Sequence, residues 1–219
     1  RAGYDYIWLS AGLMDLAGTL EKKGLRETGR GQYHQADEDK NWAEEGIGVI
    51  QNLTDFEKYN WPNQQTIDYA DYQQAATLLP DGMGIIGVVG KVFTAAWMLM
   101  GLKGLSYAIA ENPDLVTAVF NRIGEIELKV CEKIINYPKV GAVWIVDDIA
   151  YTEGLMISPQ FLRRHLFPWY KKIGTICREK VIPLIYHSDG DLSVVLDDII
   201  EMGIKALHPI EPKAMDAKL

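Results

Sequence analysis

The sequence is poor in cysteine, and the two cysteines that it has are far apart. Cys131 and Cys177 are the only two in 219 residues, and neither belongs to a CxxC pair. Zinc ribbons and dithiol redox motifs need closely spaced cysteines, so the sequence gives no sign of either. Each cysteine lies in a stretch with helical periodicity. We therefore expect two reduced, buried thiols and a cytoplasmic protein.

Basic residues are in the minority. The chain has 22 lysines and arginines against 30 aspartates and glutamates, which gives a formal net charge of −8. A net negative charge opposes nonspecific attraction to phosphate backbones and to anionic lipid surfaces. We therefore expect neither a nucleic-acid partner nor a membrane partner.

No long uninterrupted hydrophobic run is present. The most apolar stretch, 83–100, contains Lys91 and glycines at 84, 87 and 90, whereas a membrane-spanning helix needs about 20 consecutive apolar residues. We predict instead a strand over 84–89, a glycine loop and a helix over 94–100. The glycines match neither GxGxxG nor GxxxxGK[ST], so the sequence has no phosphate-binding fingerprint.

What the chain does have is an alternation of short apolar runs with longer segments of helical period, at 48% hydrophobic residues. The pattern indicates five units, each a strand followed by a helix, and hence a parallel α/β sheet. The missing phosphate fingerprint favours a (β/α)8 TIM barrel over an open sheet, and a full barrel needs about 250 residues. We predict one partial TIM-barrel domain over 1–219, with a polar excursion at about 21–60. The predicted strands are 4–9, 84–89, 141–146, 181–186 and 203–210, and the predicted helices are 65–79, 94–100, 115–135, 163–167, 168–180 and 192–202.

Polar side chains follow three of the predicted strands. Asp147 and Asp148 come after 141–146, His187 and Asp189 after 181–186, and Glu211 after 203–210. Because the carboxyl ends of parallel barrel strands meet at one rim, we expect these side chains to share a pocket.

His187 and Asp189 are the candidate metal ligands. They are alternate residues that leave a strand, and imidazole nitrogen and carboxylate oxygen are normal zinc donors. One alternative is a substrate-binding role without metal. Another is structural, with Asp189 as a helix cap and His187 hydrogen-bonded in the core.

The adjacent Asp147 and Asp148 could complete a metal shell, bind substrate or cap a loop. Neighbouring strand residues point in opposite directions, so at most one of the two should face the pocket. Glu211 is the candidate supporting acid or base, the alternative being an ion pair with Lys213. His208, just before Pro209, is expected to be a satisfied residue inside the barrel.

Further side chains are candidates for substrate contact. Ser188 and Glu153 lie close to the acids, and Tyr151 and Trp97 could line the wall beside a flat substrate. A stripe of methionine and aromatic residues at helical spacing, such as the one around Trp97, is more often plain core.

Four segments of the second half resemble the uroporphyrinogen decarboxylase superfamily. They are DDIAYTEGLMISP at 147–159, FPWYKKI at 167–173, YHSDG at 186–190 and HPIEPKAMD at 208–216. They look most like the branch that includes corrinoid-linked methyltransferases. The resemblance implies a (β/α)8 barrel of which this chain holds the second to the sixth strand, with the first and the last two supplied elsewhere in the intact protein.

Two departures from the family pattern bear on the activity. Decarboxylases have an aspartate just after the strand that is here 4–9, where this sequence has Ser10, Ala11 and Gly12, with Asp15 further on. The methyltransferase branch has a His-x-Cys zinc pair at the fifth barrel strand. In this chain, aspartate replaces that cysteine in the run from His187 to Asp189.

The resemblance therefore implies, first, a methyltransferase or demethylase that works with a corrinoid (cobalamin) protein. Its catalytic residues would be His187, Asp148 and Glu211, with zinc held by His187 and Asp189. One alternative is uroporphyrinogen decarboxylase of tetrapyrrole biosynthesis, which needs no metal or cofactor. Another is a noncatalytic barrel that binds a tetrapyrrole or a small methylated compound. All three bind a small molecule, and a homo-oligomer is compatible with each.

Overall fold

The computed structural model describes residues 3–11, 46, 48–62, 65 and 67–215. Most of the polar excursion predicted at about 21–60 lies outside these residues, and so do Gly12 and Asp15. The division into domains predicted from the sequence stays a prediction.

Five parallel strands form the main sheet: β1 (Tyr6–Ser10), β2 (Gly84–Val89), β3 (Val140–Val146), β6 (Leu184–His187) and β7 (Ala206–His208). Between β3 and β6, β4 (Ala150–Tyr151) and β5 (Gly154–Leu155) form a small antiparallel hairpin. The sheet order is β1-β2-β3-β6-β7, so strands that follow one another along the chain lie side by side. This order is that of consecutive barrel units, whereas a doubly wound sheet reverses its order at a switch point. The predicted α/β class and the partial TIM barrel are confirmed.

Within the described part of the chain, eight α-helices and one 3-10 turn (Ser193–Val195) accompany the strands. The helices are α1 (Leu53–Lys58), α2 (Ala70–Leu78), α3 (Val92–Met100), α4 (Leu102–Glu111), α5 (Pro113–Ile134), α6 (Pro159–His165), α7 (Phe167–Glu179) and α8 (Leu196–Glu201).

Two helices predicted over 115–135 and 163–167 begin slightly earlier, at the Asn112-Pro113 and Ser158-Pro159 pairs, each of which is a cap residue followed by a proline and so a helix-start signal in the sequence. The side chain of Asn112 accepts a hydrogen bond from the Leu115 backbone N–H at 3.3 Å, and Pro113 is the first residue of α5. Ser158 accepts from the Phe161 N–H at 3.2 Å in the same way before α6. A side-chain oxygen at the cap satisfies an N–H that has no partner inside the helix.

Elsewhere the elements differ from the prediction. The helix predicted at 94–100 begins at Val92, and α4 was not predicted. Gly101, with φ of 74°, lies between α3 and α4, whose axes are bent by 92°. The helix predicted at 192–202 is divided into the 3-10 turn and α8, and the one predicted at 65–79 extends only over 70–78. Among the described residues, no single helix is long and apolar enough to cross a membrane, although α3 and α4 taken together meet that test of length and composition.

The sheet has two different sides. On the first, which we call the helix side, Val89, Ile145 and Tyr186 lie in one row across β2, β3 and β6 and are fully buried. Helix α5 packs closely there, because a Cβ added to Gly87 would come within 2.8 Å of the Ile134 Cδ1 atom.

The opposite side, which we call the open side, carries larger exposed residues. Tyr6 and Trp8 on β1 are 50% and 61% exposed. Trp144 of β3 lies on this side, and Val146 pairs with His187, which pairs with His208. Alternate strand residues point to opposite faces, so the open side ends in two histidines at the carboxyl edge of the sheet.

Candidate functional site

The carboxyl edge of the open side gathers an imidazole and two carboxylates. His187 is the last residue of β6, Asp189 follows it by two residues, and Asp148 follows the end of β3 by two. The His187 Nε2 atom lies 3.5 Å from Asp148 Oδ1 and 4.0 Å from Asp189 Oδ1. The three side chains are 20%, 52% and 57% exposed in that order, so a ligand can reach them. We call these residues the Asp-His-Asp cluster.

Backbone pairing holds the cluster together. The Asp189 backbone N–H donates to Asp148 Oδ1 at 3.0 Å, and the Asp147 N–H donates to the His187 carbonyl at 3.0 Å. The Ser188 N–H donates to the His208 carbonyl at 3.2 Å. The parallel ladders of the sheet therefore continue into the loops and fix the positions of the three side chains.

Glu211 and Gly190 fasten the loop after β6. Glu211 Oε2 accepts the Gly190 N–H at 2.8 Å, and the Asp191 N–H donates to the Tyr151 carbonyl at 2.9 Å. Gly190 has φ of +85°, and a Cβ there would lie 2.5 Å from the Tyr151 carbonyl oxygen. Only glycine fits this position without strain.

The cluster carries an excess of negative charge. Partial burial raises the pKa of Asp189, and the nearby carboxylates of Asp148 and Glu211 raise it further, while the imidazoles of His187 and His208 oppose the shift. Like charges held close together disfavour ionisation of each group, and a bound cation removes that cost. The electrostatics therefore favour a cation at this point.

Asp147 lies on the other side of the sheet from Asp148. It is 1% exposed, and its oxygens accept the backbone N–H groups of Phe93 and Thr94 at 2.7 and 2.8 Å. They also accept the Thr94 hydroxyl at 2.7 Å and the hydroxyl of Tyr170. The structure thus places one of the two adjacent aspartates at the cluster and uses the other to anchor the start of α3.

Burial dominates the electrostatics of that buried aspartate. It raises the pKa of Asp147 to about 6, although the hydrogen bonds from Tyr170, Thr94 and Phe93 act to lower it. Burial and the charge of Asp147 also raise the pKa of Tyr170, so its hydroxyl stays protonated and donates. The oxygens of Asp147 are hydrogen-bonded to residues of α3 and α7 and lie away from the cluster. Of the two adjacent aspartates, only Asp148 is therefore placed to bind a metal or substrate there.

The remaining predicted contacts lie at varied distances from the cluster. Ser188 is 1% exposed; its hydroxyl accepts the Ile149 N–H at 3.0 Å and donates to the Asp189 carbonyl, so it supports the loop. Tyr151 and Glu153 are exposed residues of the β4–β5 hairpin and its turn. Trp97 is half-buried in α3, where it packs against the core, and its indole N–H has no partner among the described residues.

Sequence reasoning assigned no site role to His208. It is exposed, and its Nδ1 atom lies 2.9 Å from Nδ1 of His187. The Trp144 indole lies nearly perpendicular to both rings, with centroid distances of 5.9 Å to His187 and 5.2 Å to His208. The signal that could have revealed this pair is the position of each histidine at the end of consecutive strands.

A parallel sheet in chain order, with an imidazole and carboxylates at the carboxyl ends of its strands, defines a β/α barrel of the kind that enzymes use. The family model for uroporphyrinogen decarboxylase (URO-D) matches residues 47–216, well over half of the chain. The chain therefore belongs to the uroporphyrinogen decarboxylase family.

Among solved structures, a methyltransferase from Methanosarcina mazei is similar, with a TM-score of 0.51 at 18% sequence identity. The match covers 63% of this chain and 39% of that one, so the chain spans well under half of the neighbour's length. At this identity the likeness shows the fold alone. No curated protein matches the sequence.

Proposed function

We propose that the chain carries the catalytic rim of a methyltransferase that exchanges a methyl group with a corrinoid protein. The observation that carries this proposal is the Asp-His-Asp cluster of Asp148, His187 and Asp189, found in a chain of this family. The fold shared with a methyltransferase supports it. The corrinoid partner comes from the sequence resemblance.

The donor set of the cluster fits zinc. One imidazole nitrogen and two carboxylate oxygens lie within 4.8 Å of one another, and catalytic zinc sites use three protein ligands with a fourth position open to substrate. The exposure of Asp148 and Asp189 leaves that side reachable. When bound, the metal would supply Lewis acidity at a coordinated sulfur or oxygen of the substrate.

The residues of the chain then have separate tasks. His187, Asp148 and Asp189 would hold the metal and orient the accepting atom, while Glu211 fixes the loop through the Gly190 N–H and is the proposed acid or base. Methyl exchange involves no net redox change. The accepting atom would supply the electron pair of the new bond and give up its proton to the proposed base, Glu211, and the corrin cobalt of the partner would keep the pair of the broken bond.

The first strand favours methyl transfer over decarboxylation of uroporphyrinogen. By the family resemblance, a decarboxylase would have an aspartate just after this strand, and the structure has Ser10 at the end of β1 and Ala11 next to it. Neither side chain can ionise, so no carboxylate directly follows β1 among the residues that the structure describes there.

The experiment that tests the proposal measures zinc content and methyl transfer together. The protein is loaded with Zn²⁺, and the absorbance of methylcobalamin is followed with a thiol acceptor. His187→Ala should lose zinc and transfer without unfolding, whereas Asp197→Asn, a change at an exposed carboxylate of α8, should retain both. Turnover of uroporphyrinogen would support a decarboxylase instead. Tight binding of methylcobalamin without transfer would support a noncatalytic binding barrel.

A further inference from the structure

His208, the second histidine at the edge of the open side, contacts His187 but does not belong to the Asp-His-Asp cluster. We propose that His208 is a positioning residue, which fixes the tautomer of His187 and so directs the free Nε2 lone pair of that ring to the metal. This inference rests on the proposed function, because it concerns a ligand of the proposed metal.

The geometry requires a proton between the two rings. His187 and His208 are directly paired in register on β6 and β7, and their Nδ1 atoms are 2.9 Å apart. At that distance, one nitrogen must donate and the other must accept, since two lone pairs or two N–H groups would repel. One ring therefore carries its proton on Nδ1, and the other does not.

The cluster decides which ring donates. The other nitrogen of His187, Nε2, faces Asp148 Oδ1 and Asp189 Oδ1 at 3.5 and 4.0 Å. A nitrogen that binds a metal must be free of its proton, so the neutral ring carries the proton on Nδ1. It follows that His187 donates through Nδ1, that His208 accepts through Nδ1, and that His208 keeps its own proton on Nε2.

In this arrangement His208 takes the place of the hydrogen-bond acceptor that usually lies behind a metal-binding histidine. In most metal sites the second ring N–H donates to a carboxylate or a backbone carbonyl, which fixes the tautomer and the ring orientation. Here a second imidazole accepts. Trp144 holds both rings edge to face, at interplanar angles of 86° to His187 and 88° to His208. Because His208 is exposed, its loss should affect the metal far more than the fold.

The test measures the affinity for Zn²⁺ by competition with a chromophoric chelator. Loss of an outer hydrogen-bond partner typically lowers metal affinity by about 10- to 100-fold, and we expect a loss in that range for His208→Ala. His208→Asn places an amide oxygen near the former Nδ1 and should restore most of the affinity. Ile210→Ala, at a half-exposed position two residues away, should bind like the unaltered protein. All three should keep the melting temperature.

A second measurement reads the tautomers directly. In ¹⁵N NMR spectra of the Zn²⁺-bound protein, His187 should carry its proton on Nδ1 and His208 on Nε2. Unchanged affinity in His208→Ala, or a proton on Nδ1 of His208, would overturn the inference and leave the proposed function standing. An Asn variant as weak as the Ala variant would also overturn it, since His208 would then act as a ligand or by packing. No Zn²⁺ binding by the unaltered protein would overturn both.

Discussion

Asp147 and Asp148 are neighbours in the sequence with opposite surroundings. Asp147 is 1% exposed and is bonded to Phe93, Thr94 and Tyr170, while the Asp148 side chain is 52% exposed and faces His187. The alternation of strand β3 continues beyond its last residue and separates the two. The comparison teaches that the same residue type at the same strand end serves the fold on one side of the sheet and the candidate site on the other.

A similar contrast holds between the helix side of the inner strands and the open side of the edge strand β1. Val89 and Ile145 on the helix side are fully buried, whereas Tyr6 and Trp8 on the open side are at least half-exposed. Substitutions on the helix side should therefore change the stability of the fold. Substitutions on the open side should change ligand or metal binding.

The largest effect is expected for Asp147→Ala. The change leaves the Phe93 and Thr94 N–H groups and the Tyr170 hydroxyl without their acceptor in the interior. Loss of a helix cap costs about 0.5–2 kcal/mol, and each unsatisfied buried donor about 1–3 kcal/mol. We expect the free energy of unfolding in urea to fall by roughly 3–5 kcal/mol.

The matched control is Asp148→Ala, which should change the free energy of unfolding by no more than about 0.5 kcal/mol, as exposed positions usually do. If the two variants lost the same free energy of unfolding, the proposed difference between a structural Asp147 and an exposed Asp148 would be wrong.

A smaller effect is expected for Gly87→Ala on the helix side. The added Cβ would lie 2.8 Å from Cδ1 at the end of the Ile134 side chain, so that buried side chain must move to a different conformation. Overpacking of this kind costs about 1–3 kcal/mol. Gly84→Ala, on the open side of the same strand, meets only the Lys139 carbonyl at 3.5 Å and should be near neutral. The pair of melting temperatures checks this, and a larger loss in Gly84→Ala would contradict it.

On the open side the effect should appear in metal binding. Asp148→Asn removes a charged oxygen of the Asp-His-Asp cluster, and we expect the Zn²⁺ dissociation constant to rise at least about tenfold, or roughly 1.4 kcal/mol. Calorimetric titration with Zn²⁺ gives the constant, and Asp197→Asn is the control. Equal affinities in the two variants would remove Asp148 from the proposed ligand set.

Much of the fold can be predicted from the sequence because the signals for it are local. The strand over 84–89 is found with both of its ends, and the Asn112-Pro113 start of α5 needs only a cap oxygen and a proline. Helix α4 could not be predicted in this way. It is set by the sharp bend at Gly101, where the left-handed backbone and the close approach to residues 46 and 48 depend on tertiary packing.

The candidate site can be predicted from the sequence only in part. Strand-end position predicts a common edge for Asp148, His187 and Asp189, and the structure brings them together there. The side chain that contacts His187 could not be predicted, because the pairing with His208 depends on the register of β6 against β7. The supporting role of Ser188 could not be predicted either: its place next to His187 suggested a substrate contact, which stays a prediction, while its hydrogen bonds to the Ile149 N–H and the Asp189 carbonyl depend on the fold.

The smallest effects should come from conservative trimming on the two sides. Ile145→Val removes a buried methyl group that is surrounded by the core, and such changes cost about 0.5–1.5 kcal/mol. Trp8→Tyr keeps an aromatic ring at this position of β1 and shortens a side chain that is 61% exposed, so the free energy of unfolding should change by less than about 0.5 kcal/mol. Urea unfolding of both variants checks the difference. If Trp8→Tyr cost as much as Ile145→Val, the open side would be covered in solution, and the contrast between the two sides of the sheet would fail.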